Sequence, residues 1–160
     1  MKAFSTIILV LIFIFALIYY FYGNETFTFT AEVEGILVEA KDAGVINSSD
    51  RLRILIKLKD PIQKIIEIDC PSRPGVYSLD SYKVNENRGG YSIGNTQDRE
   101  LFVTNSHYTG MAEITKLDVR LKIVSGTFEY AAVQVFQDHF GTRVVHITKG
   151  AFEDIPIRKE

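Results

Sequence analysis

Two kinds of hydrophobic pattern divide the chain near residue 23. Residues 3–23 contain no charged side chain, and residues 3–22 are almost entirely apolar. In a helix, which rises about 1.5 Å per residue, this run spans the hydrocarbon layer of a bilayer, roughly 30 Å. The pattern therefore predicts a membrane anchor over residues 1–23, formed by one transmembrane helix, and a separate domain over residues 24–160.

The flanks of the apolar run predict its orientation. Lys2 precedes the run, and Tyr19, Tyr20 and Tyr22 close it. Aromatic side chains favour the headgroup level, and positive charge stays on the cytoplasmic side. We therefore expect a cytoplasmic N-terminus and an extracytoplasmic domain, either periplasmic or on the cell surface. Secretion after signal-peptide cleavage is the alternative, but this apolar run is longer than a signal core and no small-residue cleavage site closes it.

Apolar and polar residues alternate with a period of two after the apolar run. Phe29 and Ala31 fall on one face of residues 27–34, and Thr28 and Thr30 fall on the other. This alternation is typical of a strand with one buried face. Further strands are predicted over residues 51–59, 65–68, 76–79, 91–93, 101–104, 111–115, 119–124, 127–136 and 143–148. Many short strands predict an all-β fold, as an antiparallel β-sandwich or a partly open barrel.

Three local features refine this prediction. Asp60 and Pro61 suit the start of a short helix over residues 60–66. Ser125 and Gly126 suit a tight turn between two strands. In the predicted strand that contains Tyr130, the apolar residues occupy even-numbered positions up to Tyr130 and odd-numbered positions after it, which predicts a β-bulge at residues 131–132.

The net charge and the cysteine count exclude two classes of protein. The net charge is −2, and removing Lys2 leaves 17 basic against 20 acidic residues, or −3. A domain this close to neutrality lacks the concentrated basic surface that nucleic acid requires. The single cysteine, Cys70, excludes a disulfide-stapled scaffold and suits a small buried residue at a strand end.

Five short motifs in order resemble a group of extracytoplasmic β-domain proteins of unknown function from the Bacteroidota, many of them lipoproteins. They include Phe-Thr-Ala-Glu-Val-Glu-Gly at residues 29–35 and Gly-Met-Ala-Glu-Ile-Thr-Lys-Leu-Asp at residues 110–118. The others occupy residues 75–79, 125–130 and 147–152. The resemblance implies a β-sandwich at the cell envelope and carries over no activity. The lipidated cysteine common in such proteins is absent here, so the hydrophobic helix would be the anchor.

Catalytic, metal and cofactor motifs do not emerge from the sequence. The three histidines, His107, His139 and His146, lack the paired spacing of a metal site. Ser106 precedes His107, but neighbouring side chains on an extended segment point apart, which disfavours a catalytic pair. We therefore predict no catalytic residue, no metal and no cofactor. A hydrolytic or carbohydrate-active domain, with acidic residues assembled from distant strands, remains the alternative.

Six residues are candidates for binding. Four basic side chains line the outer face of one predicted strand and suit acidic glycans or lipid headgroups: Arg51, Arg53, Lys57 and Lys59. Tyr82 and Tyr91 flank a polar loop and suit a sugar-stacking platform. The alternatives are a solvated edge-protecting face for the four basic residues and ordinary packing for the two tyrosines. The sequence predicts a binding or structural accessory module of the envelope, with the membrane as a partner through residues 3–22 and an envelope protein or glycan as another.

Overall fold

The structure is a computed structural model, and it describes residues 27–48, 50–83, 85–95, 98–136 and 139–158. The predicted transmembrane helix lies outside these residues. The described residues form eleven strands and no helix, which confirms the all-β prediction. The strands are β1 Thr28–Val33, β2 Ile36–Val38, β3 Ala40–Ser48, β4 Arg51–Leu58, β5 Lys64–Pro71, β6 Gly75–Leu79, β7 Arg88–Ile93, β8 Glu100–Val103, β9 Gly110–Asp118, β10 Ile123–Phe136 and β11 His139–Arg158. Within these ranges no helix is long and apolar enough to cross a bilayer.

Hydrogen bonding joins the strands into one sheet that closes on itself. The order is β2-β1-β11-β3-β4-β5-β7-β8-β10-β9-β6, and β11 also pairs with β10. Seven strands (β11, β3, β4, β5, β7, β8 and β10) therefore form a closed circuit. Strands β2 and β6 are the two edges, and both are short, which limits edge-to-edge association.

One pairing makes the sheet mixed and corrects the expectation of a wholly antiparallel fold. Strand β11 runs parallel to β3, with Ile157 opposite Val45 and Arg158 opposite Ile46. The reason is local connectivity. Strands β2 and β11 run in the same direction because both are antiparallel to β1. Only Glu39 separates β2 from β3, which keeps that direction.

The core lies on the inward face of these alternating strands. Leu52, Ile54 and Ile56 of β4 are fully buried and lie opposite Cys70, Ile68 and Ile66 of β5, in that order. Aromatic rings complete the core by covering glycines of neighbouring strands. A Cβ at Gly89 would lie 2.7 Å from the ring of Tyr130, and one at Gly150 would lie 2.6 Å from the ring of Phe128.

The alternation pattern misses two strands, and the sequence places one strand segment and one turn wrongly. Strands β2 and β3 were missed. Residues 119–122, predicted as strand, form the turn between β9 and β10, because the Asp118 carboxylate accepts the backbone N–H groups of Arg120 and Leu121 at 2.9 and 2.8 Å. The predicted turn at Ser125 and Gly126 lies inside β10 instead.

The predicted helix and bulge are also corrected. Asp60 accepts the N–H of Ile62 at 2.9 Å and the ammonium of Lys64 at 2.7 Å, which closes a turn and lets β5 begin at Lys64. Strand β10 passes Ala131 and Ala132 in regular register, and the extra residues lie on β11. Lys149 of β11 has a left-handed φ of 52° at one of these irregularities.

Cys70 is fully buried, as the sequence predicts, and burial raises the pKa of its thiol to about 12 from 9.0. We expect alkylation at pH 8 to be at least about a thousandfold slower in the folded chain than in denaturant, because the pKa difference alone lowers the thiolate fraction by that factor. Mass spectrometry of the iodoacetamide-treated chain measures this directly. Rapid labelling without denaturant would contradict the packing of β5.

The same shift predicts an alkaline dependence of stability. The folded-state pKa lies above the unfolded value, so the contribution of the protonated thiol is complete below pH 9.0 and is lost as the pH rises towards about 12. Burial, together with the charge of Asp60, also raises the pKa of Tyr91 to about 12, which acts in the same direction.

Candidate functional site

The two arginines of the predicted basic face are already paired with carboxylates. Arg51 Nε donates to Asp69 Oδ1 at 2.8 Å, and a terminal nitrogen of Arg53 lies 3.5 Å from Asp69 Oδ2. Glu67 pairs with Arg53 on one side and with Arg88 of β7 on the other. These residues form a ladder of alternating charge across the outer faces of β4, β5 and β7. Asp69 is only 2% exposed, and the side chains of Arg51 and Arg53 are 18% and 35% exposed, so the ladder is a partly buried structural network.

The two predicted lysines differ from the arginines. Lys57 is exposed on the outer face of β4, on the same side as Arg53. Lys59 lies beyond the end of β4 and pairs with Glu39 at 3.1 Å, where both side chains are about 70% exposed. An ion pair this exposed contributes little to stability. Binding of an acidic ligand by these residues stays a prediction, and the lysines are more accessible than the arginines.

The two predicted tyrosines have different surroundings. Tyr82 is half exposed and packs edge-on against Phe140, with ring centroids 5.4 Å apart. Tyr91 is 3% exposed and packs against Phe102 in the core, with centroids 6.1 Å apart. Because Tyr91 is buried, its ring has no open face for a sugar, which disfavours a stacking platform shared by these two side chains. Stacking on Tyr82 alone stays a prediction.

Lys59 and Tyr91 meet in a cleft of about 570 Å³, here called the end cleft. It opens between the β1–β2 hairpin and the β4–β5 turn. Its apolar surface comes from Val33, Ile36, Leu37, Val38, Leu58 and Tyr91. Its polar residues are Glu34, Glu39, Lys59, Asp60 and Lys64.

Each carboxylate of the end cleft is already held by a donor. Glu39 pairs with Lys59, Asp60 pairs with Lys64, and Glu34 accepts the backbone N–H of His146. The hydrogen bond from Lys64, followed by that from the Ile62 N–H, lowers the pKa of Asp60, so this group is ionised at neutral pH. Apolar lining residues beside charges that are already paired suit binding of an apolar group.

Sequence reasoning missed most of this cleft. Ile36 and Leu37 are each 69% exposed and belong to a strand that was not predicted. Asp60 and Lys64 were assigned to a helix, although their i, i+4 spacing does mark the ion pair that closes the turn. The apolar run at residues 36–38, between Glu34 and Glu39, was the signal available in the sequence.

Ser106 and His107 do approach each other, contrary to the expectation for an extended segment. Ser106 Oγ lies 3.3 Å from His107 Nδ1. The Asn105 side chain accepts the N–H groups of His107 and Tyr108, which bends the backbone and turns the two side chains together. Both side chains are exposed and no third group orients the imidazole among the described residues. The described residues also hold no cluster of three His, Cys, Asp or Glu side chains suited to a metal.

The fold and the end cleft define the class: an all-β domain built on one large mixed sheet, with a cleft of apolar and charged side chains at one end. The chain belongs to the family described as Domain of unknown function (DUF6252), which matches residues 25–156. Neither the curated proteins nor the solved structures contain a match to the chain.

Proposed function

We propose that the chain is a membrane-anchored, extracytoplasmic binding module, and that the end cleft receives an apolar segment of an envelope protein. Residues 3–22 are the proposed anchor, because they combine the length and apolar character of a membrane span. The envelope location also draws on the resemblance to extracytoplasmic β-domain proteins. The proposed function is recognition of another protein, and that protein presents an exposed aliphatic or aromatic side chain to the end cleft.

The observation that carries this proposal is the exposed pair Ile36 and Leu37 beside the end cleft. Each side chain leaves 69% of its surface in water, although both are large and aliphatic. Protein interfaces place such apolar groups at the centre and charged pairs at the rim. The ion pairs of Lys59 and Lys64 line the end cleft beside these apolar side chains, which supports this arrangement.

Site-specific photo-cross-linking in the cells that produce the chain tests this. With p-benzoylphenylalanine at Leu37, irradiation is expected to yield a cross-linked product larger than the chain, because the probe lies against the partner. Val76 is the matched control, since it is 62% exposed on edge strand β6, away from the end cleft. Mass spectrometry of the Leu37 product identifies the partner.

Two outcomes would contradict the proposed function. Equal products from Leu37 and Val76 would show that exposure alone governs cross-linking, and the end cleft would lose its assignment. Reproducible hydrolase activity of the purified chain, lost on substitution of Glu39 or Asp60, would replace binding with the hydrolytic alternative.

A further inference from the structure

The turn between β9 and β10 presents two aliphatic and two basic side chains to solvent. Val119 is 72% exposed and Leu121 is 63% exposed, and Arg120 and Lys122 alternate with them. Within the described part of the chain, neither basic side chain has a hydrogen bond or an ion pair.

The backbone of this turn is held firmly. The Asp118 carboxylate accepts two N–H groups from inside the turn, and the Lys122 carbonyl accepts the N–H of Ile157 at 2.7 Å. Lys122 has a left-handed φ of 56°, which ends the turn and starts β10. A rigid turn displays Val119 and Leu121 outward with little conformational entropy left to lose on binding.

The turn lies at the end of the sheet where the chain enters the domain. Thr28 of β1 is opposite Glu153 of β11, and Ile123 of β10 is opposite Pro156 on the other side of β11. Two strand spacings and three residues separate these points, or about 14 Å. Since β1 is antiparallel to β11, it starts at the same end as the turn, and the end cleft lies at the opposite end.

The sequence outside the described residues limits how far this end stands from the proposed anchor. Five residue steps join Tyr22 to Phe27. Fully extended, they span at most about 18 Å. This end of the domain is therefore held close to the headgroup layer if residues 3–22 cross the membrane.

We propose that residues 119–122 dock on the surface of the membrane that holds the anchor. Val119 and Leu121 enter the boundary between headgroups and acyl chains, while Arg120 and Lys122 meet anionic phosphates. This inference rests on the proposed anchor and deepens it, since it fixes which end of the domain faces the lipid. The end cleft then faces away from the membrane, towards other proteins of the envelope.

Fluorescence of the full chain in vesicles tests the docking. Leu121→Cys carries the environment-sensitive label NBD, and buried Cys70 gives little background. In vesicles of phosphatidylcholine and phosphatidylglycerol, we expect blue-shifted emission that nitroxide-labelled lipids quench. Phe140→Cys, exposed near the start of β11 at the opposite end, is expected to show no quenching by these lipids. Replacing Arg120 and Lys122 with glutamine is expected to reduce the quenching at Leu121.

Flotation of the same vesicles separates the two proposals. If the chain floats but the Leu121 label stays unquenched, the anchor stands and the docking of the turn is wrong. A blue shift without lipid quenching means that the turn packs on a second copy of the chain, which also overturns the docking. If the chain does not float with the vesicles, the anchor fails and the docking fails with it.

Discussion

Asp69→Ala is expected to lower the free energy of unfolding by about 3–5 kcal/mol, the usual cost of removing one partner of a buried ion pair. The Asp69 carboxylate is 2% exposed and uses both oxygens, one for Arg51 and one for Arg53. Alanine would leave two guanidinium groups without this partner in a partly buried strand pair. Glu67, already shared with Arg88, cannot neutralise all three arginines.

Denaturant unfolding of the variant and the parent chain measures this difference. Asp42→Ala is the matched control, because Asp42 also pairs with an arginine, Arg158, at 2.9 Å, but with side chains 40% and 59% exposed. Its expected cost is within about 1 kcal/mol, as for other exposed pairs. Equal costs for the two variants would mean that the charge ladder is not a partly buried network.

Gly89→Ala is expected to lower the free energy of unfolding by about 1–3 kcal/mol, the range for overpacking a core. A Cβ at Gly89 would lie 2.7 to 2.8 Å from three atoms of the Tyr130 ring. The ring cannot swing away easily, because its hydroxyl donates to the Gly90 carbonyl at 2.5 Å. Burial, followed by the charge of Glu67, raises the pKa of Tyr130 well above its usual value, which keeps this donor protonated.

Gly90→Ala is the control for this prediction. The next residue along β7 is also buried, but the nearest atom to its added Cβ is Glu67 Cβ at 3.4 Å, an ordinary contact. We expect Gly90→Ala to cost clearly less than Gly89→Ala. In a Tyr130→Ala background, Gly89→Ala should lose most of its effect, because residues in contact are energetically coupled. An unchanged cost in that background would show that the backbone of Gly89, not the ring, sets the penalty.

The end cleft shows why only part of the site was predictable. Tyr91 and Lys59 were singled out by the sequence for other reasons, as half of a stacking platform and as one of a basic row. The β3–β4 hairpin brings Glu39 to Lys59 from 20 residues away, whereas the meeting of Lys59 with Tyr91 depends on β5 pairing with both β4 and β7. No local pattern around either residue encodes that contact.

Local patterns by themselves determined the all-β class, most of the strands and the inward faces of β1 and β4. They succeed there because a strand with one wet face must alternate with a period of two. The sequence also determined a solitary buried cysteine and an apolar run over residues 3–22 that is separate from the strand pattern.

Tertiary structure decided which charges are paired and which segments form turns, because both depend on partners elsewhere in the fold. Arg51 and Arg53 form an outer basic row in sequence, yet Asp69 and Glu67 neutralise them because β5 lies beside β4. Residues 119–122 alternate like a strand, yet the Asp118 carboxylate closes them into a turn. Alternation reports which face a residue takes but not which strand lies next to it, and that neighbour decides whether a charge is free or a turn forms.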